Sequence, residues 1–200
     1  EEGIGIPPTQ IFSRGEPNET MLELIRYNVR LPEQVTGDLF AMIAGAEVSG
    51  QHLVEFMEEH NLETLEALSQ AIQGRAEEVM RRAIREVPDG VYCGGVNLDG
   101  FDYPLHIQVT ITVKGDDLDL DFTGTSEQVD QGGINSVFNY TWAYTTYPLK
   151  CLLDPFTYRN EGSYRPIKIH APEGIIVNAT YPAPVNVRNL VGHCISAAVM

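Results

Sequence analysis

The chain has 200 residues, 43% of them apolar, with a mean hydropathy of -0.14, enough for one good core or two small ones. Its net charge of -15, from 13 Lys and Arg against 28 Asp and Glu, is spread over both halves. That leaves no basic face for nucleic acid, and no apolar run reaches the ~20 residues that a membrane helix needs.

Residues 1–17 read as an extended, proline-containing opening. Asn18 is placed to cap a helix, with Glu19 in its first turn and Met21, Leu22, Leu24, Ile25 and Val29 at helical spacing. Pro32 suits the start of a second helix, whose stripe is Val35, Leu39, Met42, Ile43 and Ala46, then Leu53, Phe56 and Met57. Gly45 and Gly50 predict a bend or break in its middle. After Asn61 a third helix carries Leu65, Leu68, Ile72, Ala76, Val79, Ala83 and Val87, and Pro88-Asp89-Gly90 ends it.

The period then changes to two. Val91 to Leu98 reads as a strand, and Leu105, Ile107, Val109, Ile111 and Val113 form another. Gly115-Asp116 turns the chain back through Leu118, Leu120 and Phe122. Residues 136–153 read as a largely buried helix, Arg165 to His170 and Ile175 to Val177 as short strands, and Val191 to Met200 as a helix entering a core. Helices followed by sheet and mixed elements indicate α+β, with a helical part at 1–90 beside a mixed or antiparallel sheet part at 91–200 that contains a buried helix. The Glu1 start and the uncapped apolar end at Met200 lead us to expect a chain cut at both ends. Cys93, Cys151 and Cys194 are odd in number and widely spaced, which argues against a disulfide framework, for a reducing compartment, and for Cys151 as a small core residue.

The chemistry-bearing residues concentrate around two glycine loops. Asp121-Phe122-Thr123-Gly124-Thr125-Ser126 brings hydroxyls and backbone N–H groups to the end of a strand, with Asp121 placed to orient the loop. Gly132-Gly133-Ile134-Asn135-Ser136 either offers free N–H groups at a helix start or merely supplies an N-cap. Arg188 has the bidentate donors for a carboxylate, and His193 follows it in the same polar segment, although an ordinary capping network explains that segment as well. Arg165 is expected to organise the Asn160-Glu161-Gly162 loop through a carboxylate pair, with Glu161 as the nearest partner in sequence, and Trp142 with Tyr140, Tyr144 and Tyr147 is expected to pack a core. The Asp117, Asp119, Asp121 alternation fails the calcium-loop pattern, because Phe122 and Gln128 stand where Gly and Glu are required. There is no GxxxxGK[ST] loop, no HExxH or CxxC, and no defensible Ser-His-Asp or Cys-His set, so no complete active site is legible.

The order of landmarks is more specific than any of them. DFTGTS, GGIN, Leu149-Lys150-Cys151-Leu152-Leu153-Asp154-Pro155, Asn160-Glu161-Gly162-Ser163-Tyr164-Arg165-Pro166-Ile167 and Ala171-Pro172-Glu173-Gly174 resemble the hydantoinase B/oxoprolinase family. Ile6-Pro7-Pro8, Arg14 to Glu19 and Asn28 to Glu33 agree, so the resemblance is collinear over essentially the whole chain. It implies a piece of the B-type subunit of an ATP-dependent cyclic-amide hydrolase of the N-methylhydantoinase or 5-oxoprolinase type. An A-type partner would use ATP to phosphorylate the ring, and the B-type part would complete its hydrolysis. Two other readings are the large subunit of an acetone or acetophenone carboxylase, and a non-catalytic scaffold whose helices dock the partner.

The family's metal motifs lie in a part with no counterpart here. The expectation is therefore no cofactor on this stretch, a divalent metal elsewhere in the full subunit, and ATP on the partner. The resemblance carries over the DFTGTS and GGIN loops, Asn160-Glu161-Gly162 and Arg165 without fixing their roles; with the residues weighed above, the candidate substrate-binding set is Asp121, Thr123, Gly124, Thr125, Ser126, Gly133, Asn135, Arg188 and His193. A small-molecule substrate, a cytoplasmic oligomer and inactivity of the isolated piece complete the expectation. Pro184-Val185-Asn186-Val187-Arg188-Asn189 departs from the family's usual Gly-rich stretch, which leaves the branch open.

Overall fold

A computed structural model describes residues 5–200, which divide into two compact units, one ending at Ala67 and one spanning residues 68–200. The Glu1 start and the extended reading of residues 1–4 lie outside the described residues. Pro88-Asp89-Gly90 marks the change from helix to strand, whereas the division between units falls earlier, between Ala67 and Leu68.

In the unit ending at Ala67 the opening segment holds a small hairpin that the sequence pattern did not announce. β1 (Phe12–Ser13) pairs with β2 (Glu16–Pro17) through Arg14 and Gly15, whose φ angles are 54° and 84°. Asn18 ties it to α1 (Glu19–Asn28): its N–H donates to Ile11 O at 2.7 Å, and its Oδ1 accepts from the Met21 N–H at 3.2 Å. α2 (Pro32–Glu59) begins with its proline in the first turn and runs unbroken for 28 residues. The expected break at Gly45 and Gly50 is absent. Glycine lowers helix propensity but keeps its N–H, and a helix breaks where a ladder bond is lost.

α3 (Glu66–Arg85), nearly all of it in residues 68–200, buries Ala76, Met80 and Ile84 at four-residue intervals; of the predicted stripe only Ala76 is fully buried, and Leu68 and Ile72 are exposed. β3 (Gly90–Leu98), β4 (Leu105–Lys114) and β5 (Asp117–Asp121) form an antiparallel meander. The alternation sends Leu105, Ile107, Val109, Val113, Leu118, Leu120 and Phe122 to the core. Arg81 pins α3 to the β4–β5 turn, donating to Asp117 at 2.8 Å and Asp116 at 3.1 Å while pairing with Glu77 at 2.9 Å, so Asp117 is an ion-pair partner as well as a wet-face residue.

α4 (Phe138–Leu153) and the single turn α5 (Glu161–Tyr164) follow. β6 (Ile167–His170) then adds parallel to β5, giving the order β3-β4-β5-β6. α6 (Asn189–Val199) closes the fold over β3, β4 and α4, burying Val191, Ile195, Ala198 and Val199. It comes so close to β3 that a Cβ on Gly94 would stand 1.9 Å from Ala198 O.

Three expectations are corrected. Ile175 to Val177 is buried but forms only isolated bridges, because Gly174 (φ 86°) and Asn178 bond across it and curl it into turns. Cys151 is exposed, not core. α4 is mixed rather than largely buried: with Pro148 and Leu149 it buries Thr141, Thr145, Thr146 and Lys150, while Tyr147 and Leu152 are 61% and 62% exposed.

Candidate functional site

The first glycine loop is a brace. The Asp121 carboxylate accepts from Thr123 Oγ1 at 2.7 Å and from its N–H at 2.9 Å. The Thr123 hydroxyl bond holds this carboxyl below the usual range; the Thr123 N–H and nearby His170 help, against the opposing push of burial. Thr125 Oγ1 accepts from the Gln108 N–H at 3.1 Å and donates to Gln108 O at 3.0 Å. Ser126 Oγ accepts from the His106 N–H at 2.8 Å, and the Ser126 N–H donates to His106 O at 2.9 Å. Thr125 and Ser126 thus continue the sheet along β4 with side-chain oxygens standing in for backbone. Gly124 (φ 96°) lets the loop turn against the Gln108 side chain.

The second loop is also structural. The helix that it was expected to open starts at Phe138, with Val137 as its N-cap and no side-chain cap, so Asn135 and Ser136 are not its N-cap. Asn135 is fully buried and its amide is fully used: Oδ1 accepts from the Val129 N–H at 2.8 Å, and Nδ2 donates to Val129 O at 2.7 Å and Pro184 O at 2.8 Å. Gly133 (φ 64°) receives the Val187 N–H at 2.8 Å, and a Cβ there would meet Asn186 Oδ1 at 1.7 Å. The loop therefore anchors the 184–188 segment that leads into α6.

That anchoring delivers Arg188 and His193 to the α4–α6 face. Tyr140 and Tyr144 stack one turn apart with centroids at 4.6 Å, and the Tyr140 hydroxyl donates to Tyr144 at 3.0 Å. Donating that bond pushes the Tyr140 phenol up. The Arg188 guanidinium lies 5.4 Å from the Tyr140 ring centre and donates to Val185 O at 3.1 Å, while His193 meets Tyr144 edge-on at 5.9 Å. Gly192 makes room for both rings. Arg188 and His193 are therefore joined through a tyrosine pair and not by direct contact, and Tyr147, expected in the core, lines an open groove.

The groove is a cavity of about 600 Å³ between α4, α6 and the chain near Arg159. Tyr144, Tyr147, Pro148 and Leu152 form apolar walls, and Arg159, His193, Cys151 and Ser196 are the polar lining. Ser196 Oγ is already committed to Tyr144 O at 2.8 Å.

Sequence reasoning missed the device that holds Arg159. Lys150 and Asp154, 6% and 5% exposed, are ion-paired at 2.5 Å, and Lys150 Nζ also donates to Asp154 O, to Thr157 O at 2.9 Å and to Thr157 Oγ1 at 3.0 Å. The Thr157 hydroxyl and N–H donate to the same carboxylate. Burial pushes the Asp154 carboxyl up, but the Lys150 and Thr157 bonds together outweigh it and leave it lowered. The i,i+4 spacing of a lysine and an aspartate within Lys150-Cys151-Leu152-Leu153-Asp154 was the available signal. Arg165 does not pair with Glu161; it bonds Glu77 at 3.0 Å and Gln73 at 2.6 Å, fastening α5 to α3.

Among the described residues no three of His, Cys, Asp and Glu are grouped to hold a metal ion, and no helix is long and apolar enough to cross a membrane. A divalent metal finds no ligand set among them, and no step of the chemistry is assigned to one.

Comparison with known proteins gives a consistent result. The family model described as hydantoinase B/oxoprolinase matches residues 1–200. A candidate B component of a D-/L-hydantoinase from Pseudomonas sp. strain NS671 is 35% identical over 212 residues, covering 100% of this chain and 36% of that protein. The crystal structure of the ATP-dependent caprolactamase from Pseudomonas jessenii superposes with a TM-score of 0.91 at 28% identity, over 99% of this chain and 35% of that one. A nucleotide-free acetone carboxylase superposes at 0.77 with 18% identity, over 98% of this chain and 28% of that one, a likeness of fold alone. The chain thus spans about a third of the length of the relatives that it matches.

Proposed function

The chain belongs to the hydantoinase B/oxoprolinase family, and from that premise we propose that it is part of the B-type subunit of an ATP-dependent cyclic-amide hydrolase. The observation that carries the reading is the full-length match of these 200 residues to the family, together with the 0.91 superposition on caprolactamase. In this reading an A-type partner binds ATP and activates the ring amide, and the B-type subunit completes ring opening. The 68–200 unit supplies one wall: the braced loops at 121–136 set the position of the 184–188 segment, and that segment sets α6 and the α4–α6 groove. In this reading the 200-residue stretch acts as part of a longer subunit, about a third of whose length it spans.

The test is a turnover assay of the full-length subunit co-purified with its partner, given ATP and a panel of hydantoins and lactams. Stoichiometric release of ADP and ring-opened product is expected, with none from the 200-residue stretch alone. Ketone carboxylation with bicarbonate, and no lactam opened, would replace the reading.

A further inference from the structure

The α4–α6 cavity has a feature that family membership does not supply. Beside Cys151 and the committed Ser196, its polar lining is Arg159 and His193, neither of which makes a hydrogen bond or ion pair with another described residue, and no acidic side chain lines it. In a chain with 28 acids and 13 bases, a cavity wall that places an arginine and a histidine beside tyrosines and excludes every acid is chemically selective. Arg159 is also held from both sides. Two residues before it, Thr157 is fixed by the buried Lys150–Asp154 pair. One residue after it, Asn160 Oδ1 accepts the Gly162 N–H at 2.9 Å and caps α5. An arginine presented on a clamped segment loses less freedom on binding than one on a loose loop, which suits it to bidentate carboxylate recognition.

We propose that this cavity recognises the carboxylate of ring substrates that bear one, with Arg159 as the anion-binding residue, His193 as a second polar contact, and Tyr144, Tyr147, Pro148 and Leu152 packing the ring. About 600 Å³ accommodates a small substituted ring. The proposal rests on the cyclic-amide reading and names the substrate class within it.

The experiment is calorimetric titration of the full-length subunit with its partner, without ATP, using 5-oxoproline, 2-pyrrolidinone (the same ring without the carboxylate) and inorganic phosphate. Wild type is expected to bind 5-oxoproline at least tenfold more tightly than 2-pyrrolidinone, a preference that collapses in Arg159→Met and survives in part in Arg159→Lys. Phosphate is expected not to displace 5-oxoproline at equal concentration. Arg159 is exposed, so its replacement leaves the fold intact, and circular dichroism checks that. Equal binding of the two rings by wild type, a preference that persists in Arg159→Met, or displacement by phosphate would each overturn the proposal. Turnover separates the two levels. An Arg159-dependent preference without any lactam opened leaves the pocket standing and removes the reading; lactam opening with no such preference does the reverse.

Discussion

Lys150 is the residue whose chemistry and location disagree most. An ammonium that is 6% exposed is tolerated only because the Asp154 carboxylate, two carbonyls and a hydroxyl surround it. Removing the cation alone leaves a buried anion, so Lys150→Met is expected to cost about 3–5 kcal/mol, and Lys150→Met with Asp154→Leu to recover most of that, in chemical denaturation of the full-length subunit. The pH dependence has a definite sign. The Asp154 carboxyl is lowered in the fold, so its contribution is fully present above the unfolded value near ~3.9 and is lost as pH falls through the lower folded one. In Lys150→Met the carboxyl loses its cation, and the opposing push of burial gains the upper hand. The stability gap between the two proteins should therefore narrow as pH falls, first through the raised carboxyl value of Lys150→Met and then, below about pH 4, through the lowered value of the wild type. Constancy of the gap would show that the pair is not coupled in this way. At this scale the candidate site was only half legible. The residue types in DFTGTS and GGIN read as a binding surface because free hydroxyls, amides and glycines look the same in sequence whether they face a ligand or brace a sheet. The bracing is visible only in the partners at Gln108, His106, Val129 and Pro184, and all but Val129 are distant in sequence or on another element.

Helices and strands were far more readable, because periodicity reports which side of an element is buried. β4 and β5 follow the alternation except at the half-buried Ile111, whereas α3 turns a neighbouring face inward: Ala76 of the predicted stripe is buried with Met80 and Ile84, and Leu68 and Ile72 are exposed. The misread burial of α4 has an identifiable cause. A run such as Tyr140 to Leu152 is apolar enough to suggest burial, but its inward side was decided by what α6 presents to it. Close packing of α6 on β3 makes the sharpest stability test. A methyl on Gly94 collides with the Ala198 carbonyl at 1.9 Å, a backbone atom that moves only if α6 moves. Gly94→Ala is therefore expected to destabilise the 68–200 unit by about 2–3 kcal/mol, as overpacking does. Gly74, in α3, has nothing within 4 Å of its missing Cβ, so Gly74→Ala should stabilise the same unit by about 1 kcal/mol through helix propensity. Thermal melts of the pair read both signs in one experiment, and a tolerated Gly94→Ala would mean that α6 has room to shift from the sheet.

Across the whole chain, stability is unevenly distributed, and the reason lies in α2. From Ala44 to Glu59 every residue is exposed except Met57, which is half-buried, and Gly45 and Gly50 fall within that stretch. An isolated helix of that length is marginal in water, because most helical stability in proteins comes from packing an apolar face. The sheet of the 68–200 unit is the opposite case, with Leu105, Ile107, Val109, Leu120 and Phe122 all at 0–1% exposure behind paired backbone. Hydrogen exchange on the 200-residue chain should therefore show amides 44–59 opening with little free-energy cost. Those of β4 and β5 should open only with the unit as a whole, at least about 10³-fold more slowly. The glycines give the internal control: Gly45→Ala and Gly50→Ala each add about 1 kcal/mol of helix propensity and should slow exchange in that stretch about fivefold, leaving the sheet unchanged. In the longer subunit with its partner the same amides should be protected, since leucine, phenylalanine and methionine side chains at such density are retained only where something covers them. Equal protection of 44–59 and of the sheet in the isolated 200 residues would show that the long helix stands on its own, without a packed face to hold it.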